Sequence, residues 1–568
     1  MQHFIFAAAY GYYVLFYFNL GEKISAAVFA APVLIYGALL LACLLLSRIM
    51  RADFKMFFKR LSPALYASLI LFITPLAVKF QIPDPHNFTL RKLELILAAA
   101  YVLTLAYMAY KSFSYLYRSG VVQRVNAKKA FLYLASVYFL FFCFLTLRYN
   151  QANEPTGDEP AYLLTAHSIA YDRDLDISNN FANEDYKRFH SRELKPQGTD
   201  IEVNGKLYSY HPVLYSALIA PFYFAGGRTG VTLFSALTAS VLAALIYLVC
   251  LHITGSPRGS FAASVTAALS MPLIGFVNMI STEMISAVIL CLAYLLLKKE
   301  KINTLLISVL VSALFWMHIK NAPLCGSMAL LYIFYMRKKP LQILIFGGLQ
   351  AVFAAGYFYL NYSRFGSLLP SYSAGGGVMD RFTFENIRGI LVYFLDRQQG
   401  LLFFSPVFLL SFAGAALLFK NSRAAAVEAA VIFVPYFILI TSWDDWGTGN
   451  SAPRYFIQIM FLFAACMAAL FASMRDKRLS AAVKGLCAYG FLISCVIAIV
   501  PWFRWDKSGG ENWVLSILSS VFKSDISGAL PSFKNTMPHI SVTLFWVAAV
   551  AALNIAAYFL TRSRAGAK

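Results

Sequence analysis

Long apolar runs separated by short polar connections set the pattern of this chain. Runs of spanning length fall at about 3–20, 26–47, 63–80, 93–110 and 130–149, each near the roughly 20 residues a helix needs to cross a bilayer. The connection 48–62 carries Arg48, Arg51, Lys55, Lys59 and Arg60, and 111–129 carries Lys111, Arg118, Arg124, Lys128 and Lys129. Basic residues collect in short cytoplasmic loops. The N-terminus therefore reads as cytoplasmic, and the polar stretch after residue 149 as external.

Past that stretch, Tyr210-His211-Pro212-Val213-Leu214-Tyr215 leads into an apolar piece ending at Phe224-Ala225-Gly226-Gly227. At about fourteen residues it is short for a span. If it crossed, the basic clusters Lys298-Lys299-Glu300-Lys301 and Arg337-Lys338-Lys339 would lie outside, so it reads as an interfacial helix. Further spans follow at about 229–252, 259–277, 282–298, 303–319, 322–336, 341–360, 401–419, 424–441, 455–472, 480–501 and 540–561. The expected fold is an all-α polytopic bundle of about sixteen transmembrane helices with both ends cytoplasmic. Arg475-Asp476-Lys477-Arg478 and the tail with Arg562, Arg564 and Lys568 fit that orientation. The long polar connections 150–228, 361–400, 442–454 and 502–538 then share the outer face. The expected division is 1–129 as an N-terminal helical extension, 130–475 as the working core and 476–568 as C-terminal helices.

Composition agrees. The chain is 60% hydrophobic and 13% charged, with mean hydropathy +0.64; a soluble protein carries roughly twice that charge. Continuous apolar runs exclude a transmembrane β-barrel, whose strands alternate. The net charge of +21 is explained by cytoplasmic loops rather than by nucleic acid, which is not expected as a partner. The eight cysteines lie in or at the ends of apolar segments and match neither a metal knuckle nor a disulfide framework. The first residues lack a basic n-region and a cleavage site, so they read as a retained helix.

Against this background Gly157-Asp158-Glu159-Pro160-Ala161-Tyr162 stands out. Acidic residues at the mouth of a membrane helix mark chemistry or transport. Asp158 also suits a helix N-cap with Pro160 in the first turn, and the two roles are compatible. Adjacent helical side chains diverge by roughly 100°, so one carboxylate can face a reacting group while the other orients it or holds a metal. Glu283 begins a helix, where the dipole alone accounts for a carboxylate; as a working residue it would share a substrate or metal with Asp158. Asp172-Arg173-Asp174-Leu175-Asp176 has Ile177 where a calcium loop needs Gly, and reads as a solvated acidic turn. The run Gly375-Gly376-Gly377 is followed by Val378 and Met379 and is no phosphate-binding loop.

The stretch GDEPAYLLTAHSIAYDRDLDISNNF resembles the first outer loop of the GT-C glycosyltransferases, bacterial multi-spanning enzymes related to protein O-mannosyltransferases and aminoarabinose transferases. His211-Pro212, Asp396-Arg397-Gln398-Gln399-Gly400-Leu401, Trp443-Asp444-Asp445-Trp446-Gly447 and Pro453-Arg454-Tyr455 extend the likeness over 130–475. One departure is that about five helices precede the acidic loop, where familiar members have one. The resemblance implies transfer of a sugar, with inversion, from a polyprenyl-phosphate donor to a hydroxyl of an envelope glycan, lipid or protein, on the outer face of the cytoplasmic membrane.

In that reading Asp158 matches the base position and Glu159 is its partner. The departing lipid phosphate needs a cation. Arg454 is the first choice, since arginine grips phosphate through a fork of donors, although an interfacial anchor is the plainer account of it. Lys320 and His318 come second, because few cations are expected on the outer side, and Arg397 third. Trp446, Trp443, Tyr208 and Tyr210 suit sugar stacking or an ordinary aromatic belt; His211, Tyr162 and Glu283 complete the expected substrate site. No cofactor is assigned; a divalent cation stays an open option with no clear ligand set to imply it. The alternative is a transporter or flippase of lipid-linked sugars using the acids as a relay, but neither internal repeats nor midplane acids favour it. A non-catalytic scaffold would leave the polar loops' shared face unexplained.

Overall fold

A computed structural model describes residues 126–562 apart from 198–199, 369–388, 443–448, 450, 508–509 and 534–539. The predicted helices at 3–20, 26–47, 63–80 and 93–110, the glycine run, Trp443 and Trp446 lie outside the described residues. The chain divides into two compact units, Met1–Leu140 and Phe141–Lys568. Of the first, only the opening of helix α1 (Ala127–Ala152) is described; the second holds all the other described elements.

This second unit is mostly helical. Six described helices are long and apolar enough to cross a membrane: Val213–Thr254, Pro340–Phe365, Arg423–Ser442, Arg454–Ser473, Lys477–Ala498 and Ile540–Thr561. These six are what stands of the expected count of about sixteen. Several other expected spans are shorter apolar helices, among them Thr282–Leu297 and Thr304–Met317.

After α1, helix α2 (Glu159–His167) opens the polar region and α3 (Ser178–Ala182) comes next. Strands β1 (Ile201–Val203) and β2 (Lys206–Tyr208) pair antiparallel, Ile201 facing Tyr208. Their turn, Asn204-Gly205, has φ of 52° and 74°, the left-handed pair a tight hairpin requires. An all-α reading misses this hairpin, although the Asn-Gly dipeptide announces it. Helix α4 (Val213–Thr254) is two helices joined at a kink, with non-helical backbone at Gly226 and Gly227. Only glycine adopts the φ of 55° and ψ of −145° seen at Gly227 without strain. The turn is sharp enough to stack Phe222 on Phe234, ring centroids 4.3 Å apart. The boundary expected between a short helix and a span is thus real.

The centre of the bundle is helix α14, reached through α5 (Pro257–Ala268), α6 (Thr282–Leu297), α7 (Thr304–Met317), α8 (Ala322–Met336), α9 (Pro340–Phe365), α10 (Gly389–Leu395), α11 (Leu401–Phe404), α12 (Ser411–Asn421) and α13 (Arg423–Ser442). Helix α14 itself spans Met460–Ser473 and is almost wholly buried. Gly259 of α5 lies so near Ala468 that an added Cβ would stand 2.6 Å from its carbonyl oxygen, and Gly414 of α12 would place one 2.2 Å from that of Cys466. Small residues that let helix backbones touch are how apolar helices associate in lipid. Helix α15 (Lys477–Ile499), a short hairpin of β3 (Asp506–Lys507) and β4 (Glu511–Asn512), α16 (Trp513–Phe522) and α17 (Ile540–Arg562) complete the unit.

Two expected spans are interrupted, each at a proline, and a third begins irregularly after one. The run 259–277 stops as a helix at Ala268; Pro272 cannot continue one, and the chain turns through a single 3-10 stretch at Ile274–Phe276. The run 401–419 breaks between α11 and α12 at Ser405-Pro406. The run 455–472 begins after Pro453 as a 3-10 turn, Arg454–Ile459. The first break matters most: residues 266–284 are continuously buried, and 269–281 among them lie outside any α-helix. Such backbone is tolerated at membrane depth only where protein or a cavity satisfies it.

Candidate active site

That buried turn is the frame on which the site is hung. Glu159, only 1% exposed, accepts from the Ile280 amide at 2.9 Å through Oε1. Its Oε2 accepts from the Thr156 amide and the Tyr149 hydroxyl, both at 3.2 Å. Both carboxylate oxygens are in use, so Glu159 fastens the acidic loop to the turn and positions its neighbour. Gly157, at φ 63°, sets the left-handed step that lets the chain enter α2 there.

Asp158 is placed differently. It stands at the N-cap, half-buried, with no side-chain capping bond. Its charge reaches the His211 ring and the Arg454 guanidinium. A carboxylate that does not cap its own helix is available to something else.

Glu283, in the first turn of α6, is buried and paired twice: with Lys320 Nζ at 2.7 Å and Arg454 Nε at 3.4 Å. The helix dipole and two cations all favour its charge. Both cations lie against Tyr455, Lys320 at 4.7 Å and Arg454 at 5.3 Å from the ring centroid. Arg454 also reaches the Met279 sulfur at 3.9 Å, on the same turn that Glu159 grips. Asn321, fully buried, locks the Lys320 segment by donating to Ser286 Oγ at 3.0 Å and Leu314 O at 2.9 Å while accepting from Gln458 at 2.9 Å.

The remaining expected residues divide. His318 Nδ1 accepts from the Lys320 amide at 3.1 Å, shaping that turn. His211 is buried beside Tyr162 and Tyr210, ring centroids 4.7 and 4.1 Å away, with Nε2 3.2 Å from Gln197 Oε1. Burial lowers its pKa, opposed by the Asp158 charge. Gln197 in turn donates to the Gly157 carbonyl at 2.9 Å, so the His-Pro segment braces the acidic loop. Asp200, which accepts from the Gln197 amide at 2.8 Å, has its pKa raised to about 6 by burial. Tyr162 is buried and packs edge-on to Tyr215 at 4.9 Å; no ring face is left for a sugar. Arg397 is committed elsewhere, donating to Gly510 O at 3.1 Å and Ser527 O at 3.3 Å, with Glu511 3.9 Å away. The 172–176 acids bond among neighbours, Asp176 Oδ1 accepting from Ser178 and Leu207 amides at 3.0 Å. Among the described residues no cluster of three His, Cys, Asp or Glu could hold a metal ion.

Two further features border the site. A crevice beside Ile319 is lined by Tyr210, Trp316, Tyr357, Asn361 and Arg364. An apolar groove runs between α8 and α13, from Pro323 past Ser327 and Leu330 to Val427 and Val434. It begins three residues from Lys320.

Sequence reasoning misses Arg504. It is 1% exposed, and its Nη1 donates to Asn278 Oδ1 at 3.1 Å and Gly275 O at 3.3 Å, on the buried turn again. It lies beyond α15 on the side where cations are expected to be scarce, which is the signal that marked Lys320. Comparison with family models, curated proteins and solved structures finds no match.

Proposed function

We propose that this chain is a GT-C-type inverting glycosyltransferase, taking a sugar from a polyprenyl-phosphate donor to a hydroxyl acceptor at the end of the bundle that carries Asp158. The observation that supports it best is the contrast within the acidic pair. Glu159 is consumed by three hydrogen bonds, while Asp158 is uncapped and partly open, with two cations paired on Glu283 nearby.

Each step of the chemistry has a candidate group. Asp158 takes the acceptor proton as the hydroxyl oxygen attacks the anomeric carbon. Lys320 and Arg454 receive the charge that builds on the departing phosphate; Glu283 holds them in place, so no reorganisation is needed when that charge appears. The groove between α8 and α13 would take the prenyl chain, starting beside Lys320 and lined by apolar side chains.

The test is transfer itself. Purified protein incubated with a panel of polyprenyl-phosphate sugars should release prenyl phosphate, and Asp158→Asn should stop release while the protein still folds. Unchanged release in that variant removes the central role.

A further inference from the structure

Arg504 and Arg228 present a problem that the reaction just described does not use. Arg504 is buried, and two of its nitrogens, Nε and Nη2, have no hydrogen-bond partner. Arg228, just beyond the Gly226-Gly227 kink, likewise has Nε and Nη2 buried without a partner. The two guanidinium groups lie against one ring: Arg504 is 4.1 Å and Arg228 5.4 Å from the Tyr149 centroid. Among the described residues no carboxylate lies within 4 Å of either. By contrast Lys320 and Arg454 share Glu283.

A buried cation without a counter-ion costs several kcal/mol, and each unmet donor adds about 1–3 kcal/mol. The Tyr149 ring offsets part of the charge, by about 2 kcal/mol, but a π face accepts none of the in-plane N–H groups left over. Four unmet donors on two planar forks ask for an acceptor with several oxygens and negative charge. Phosphate matches that need; arginine forks bind it in pairs of parallel hydrogen bonds. Bulk solvent does not reach these atoms.

We propose that Arg504 and Arg228, both set against Glu159's partner Tyr149, form a second anion site that binds a phosphoryl group. It is separate from the Glu283-paired cations, and it does not rest on the glycosyltransferase reading. The phosphoryl group can arrive on a lipid or on a water-soluble molecule, and the two sources are separable by probe.

The experiment measures binding with no turnover, so that its failure is distinct from failure of sugar transfer. Wild-type protein, Arg228→Gln, Arg504→Lys and Lys320→Gln are titrated with farnesyl phosphate, farnesol and inorganic phosphate, following thermal stabilisation. Farnesyl phosphate or inorganic phosphate should stabilise the wild type, and farnesol should not match it. Affinity should fall at least about tenfold in Arg228→Gln and in Arg504→Lys, one lost charged contact being worth that much. Preference for farnesyl phosphate assigns the site to a lipid headgroup, and equal response to inorganic phosphate assigns it to a soluble phosphate. If Arg504→Lys does not fold, Arg228→Gln decides alone, since that side chain is only half-buried. Wild-type affinity in Arg228→Gln, loss confined to Lys320→Gln, or no response to either phosphate in wild type overturns the proposal.

Discussion

Two buried ion clusters stand at opposite ends of α6, and they are built to different ends. At its start Glu283 meets Lys320 and Arg454. At its far end Lys298 pairs with Glu428 of α13. There Tyr294 donates to Glu428 Oε2 at 2.8 Å, Tyr335 donates to Oε1, and the Lys298 ammonium sits 4.9 and 4.7 Å from the two tyrosine rings. Both Glu428 oxygens are satisfied and the single cation is matched, so the cluster closes on itself and ties α6, α8 and α13 together. The first cluster is open by comparison. One carboxylate serves two cations, Arg454 Nε has no hydrogen-bond partner, and Asp158 waits uncapped beside it. Charge balance, more than burial, separates a clasp from a site.

Substitutions test that distinction. The largest effect should come from Asp158→Asn, which removes a base while keeping shape; transfer should fall by about 10²–10⁴-fold with unchanged thermal unfolding. Glu283→Gln should come next. It leaves two buried cations against each other, and should cost about 3–5 kcal/mol together with most transfer, read by denaturation and product release. Glu428→Gln should lose comparable stability yet leave transfer per folded molecule unaltered; a specific loss of transfer there would erase the contrast between the two ends. The smallest effect concerns Asp200. Its folded pKa of about 6 lies above the ordinary 3.8, so the fold holds this proton more tightly than the unfolded chain does. The stability it contributes is fully present below about pH 3.8 and is lost as pH rises through about 6. Asp200→Asn should therefore flatten the pH dependence of unfolding between about pH 4 and 7, by on the order of 1 kcal/mol.

Much of the fold is legible in the pattern of residues alone. The run 322–336 is a helix over the same residues, and 282–298 and 424–441 agree to within a residue, because uninterrupted apolar stretches admit one solution in lipid. The acidic pair, Lys320, Glu283 and Arg454 are singled out by the cost of charge near a membrane, and the last three do converge. What stays hidden depends on contacts far apart in sequence. Nothing in Met271–Ile280 signals that Glu159 and Arg504, from 121 and 226 residues away, would fasten to it; hydropathy counts it as span up to residue 277 and passes over Pro272. The opposite fates of Asp158 and Glu159 also lie beyond a pattern, since identical charges one residue apart differ only in what surrounds them.

The turn from Gly275 to Glu283 has a consequence for how two ligands would sense one another. It is a single short piece of backbone, so drawing Arg504 toward an anion pulls on the same atoms that seat Arg454 and the Glu159 loop. Occupancy on one flank would then alter affinity on the other, and linkage would make that influence equal in both directions.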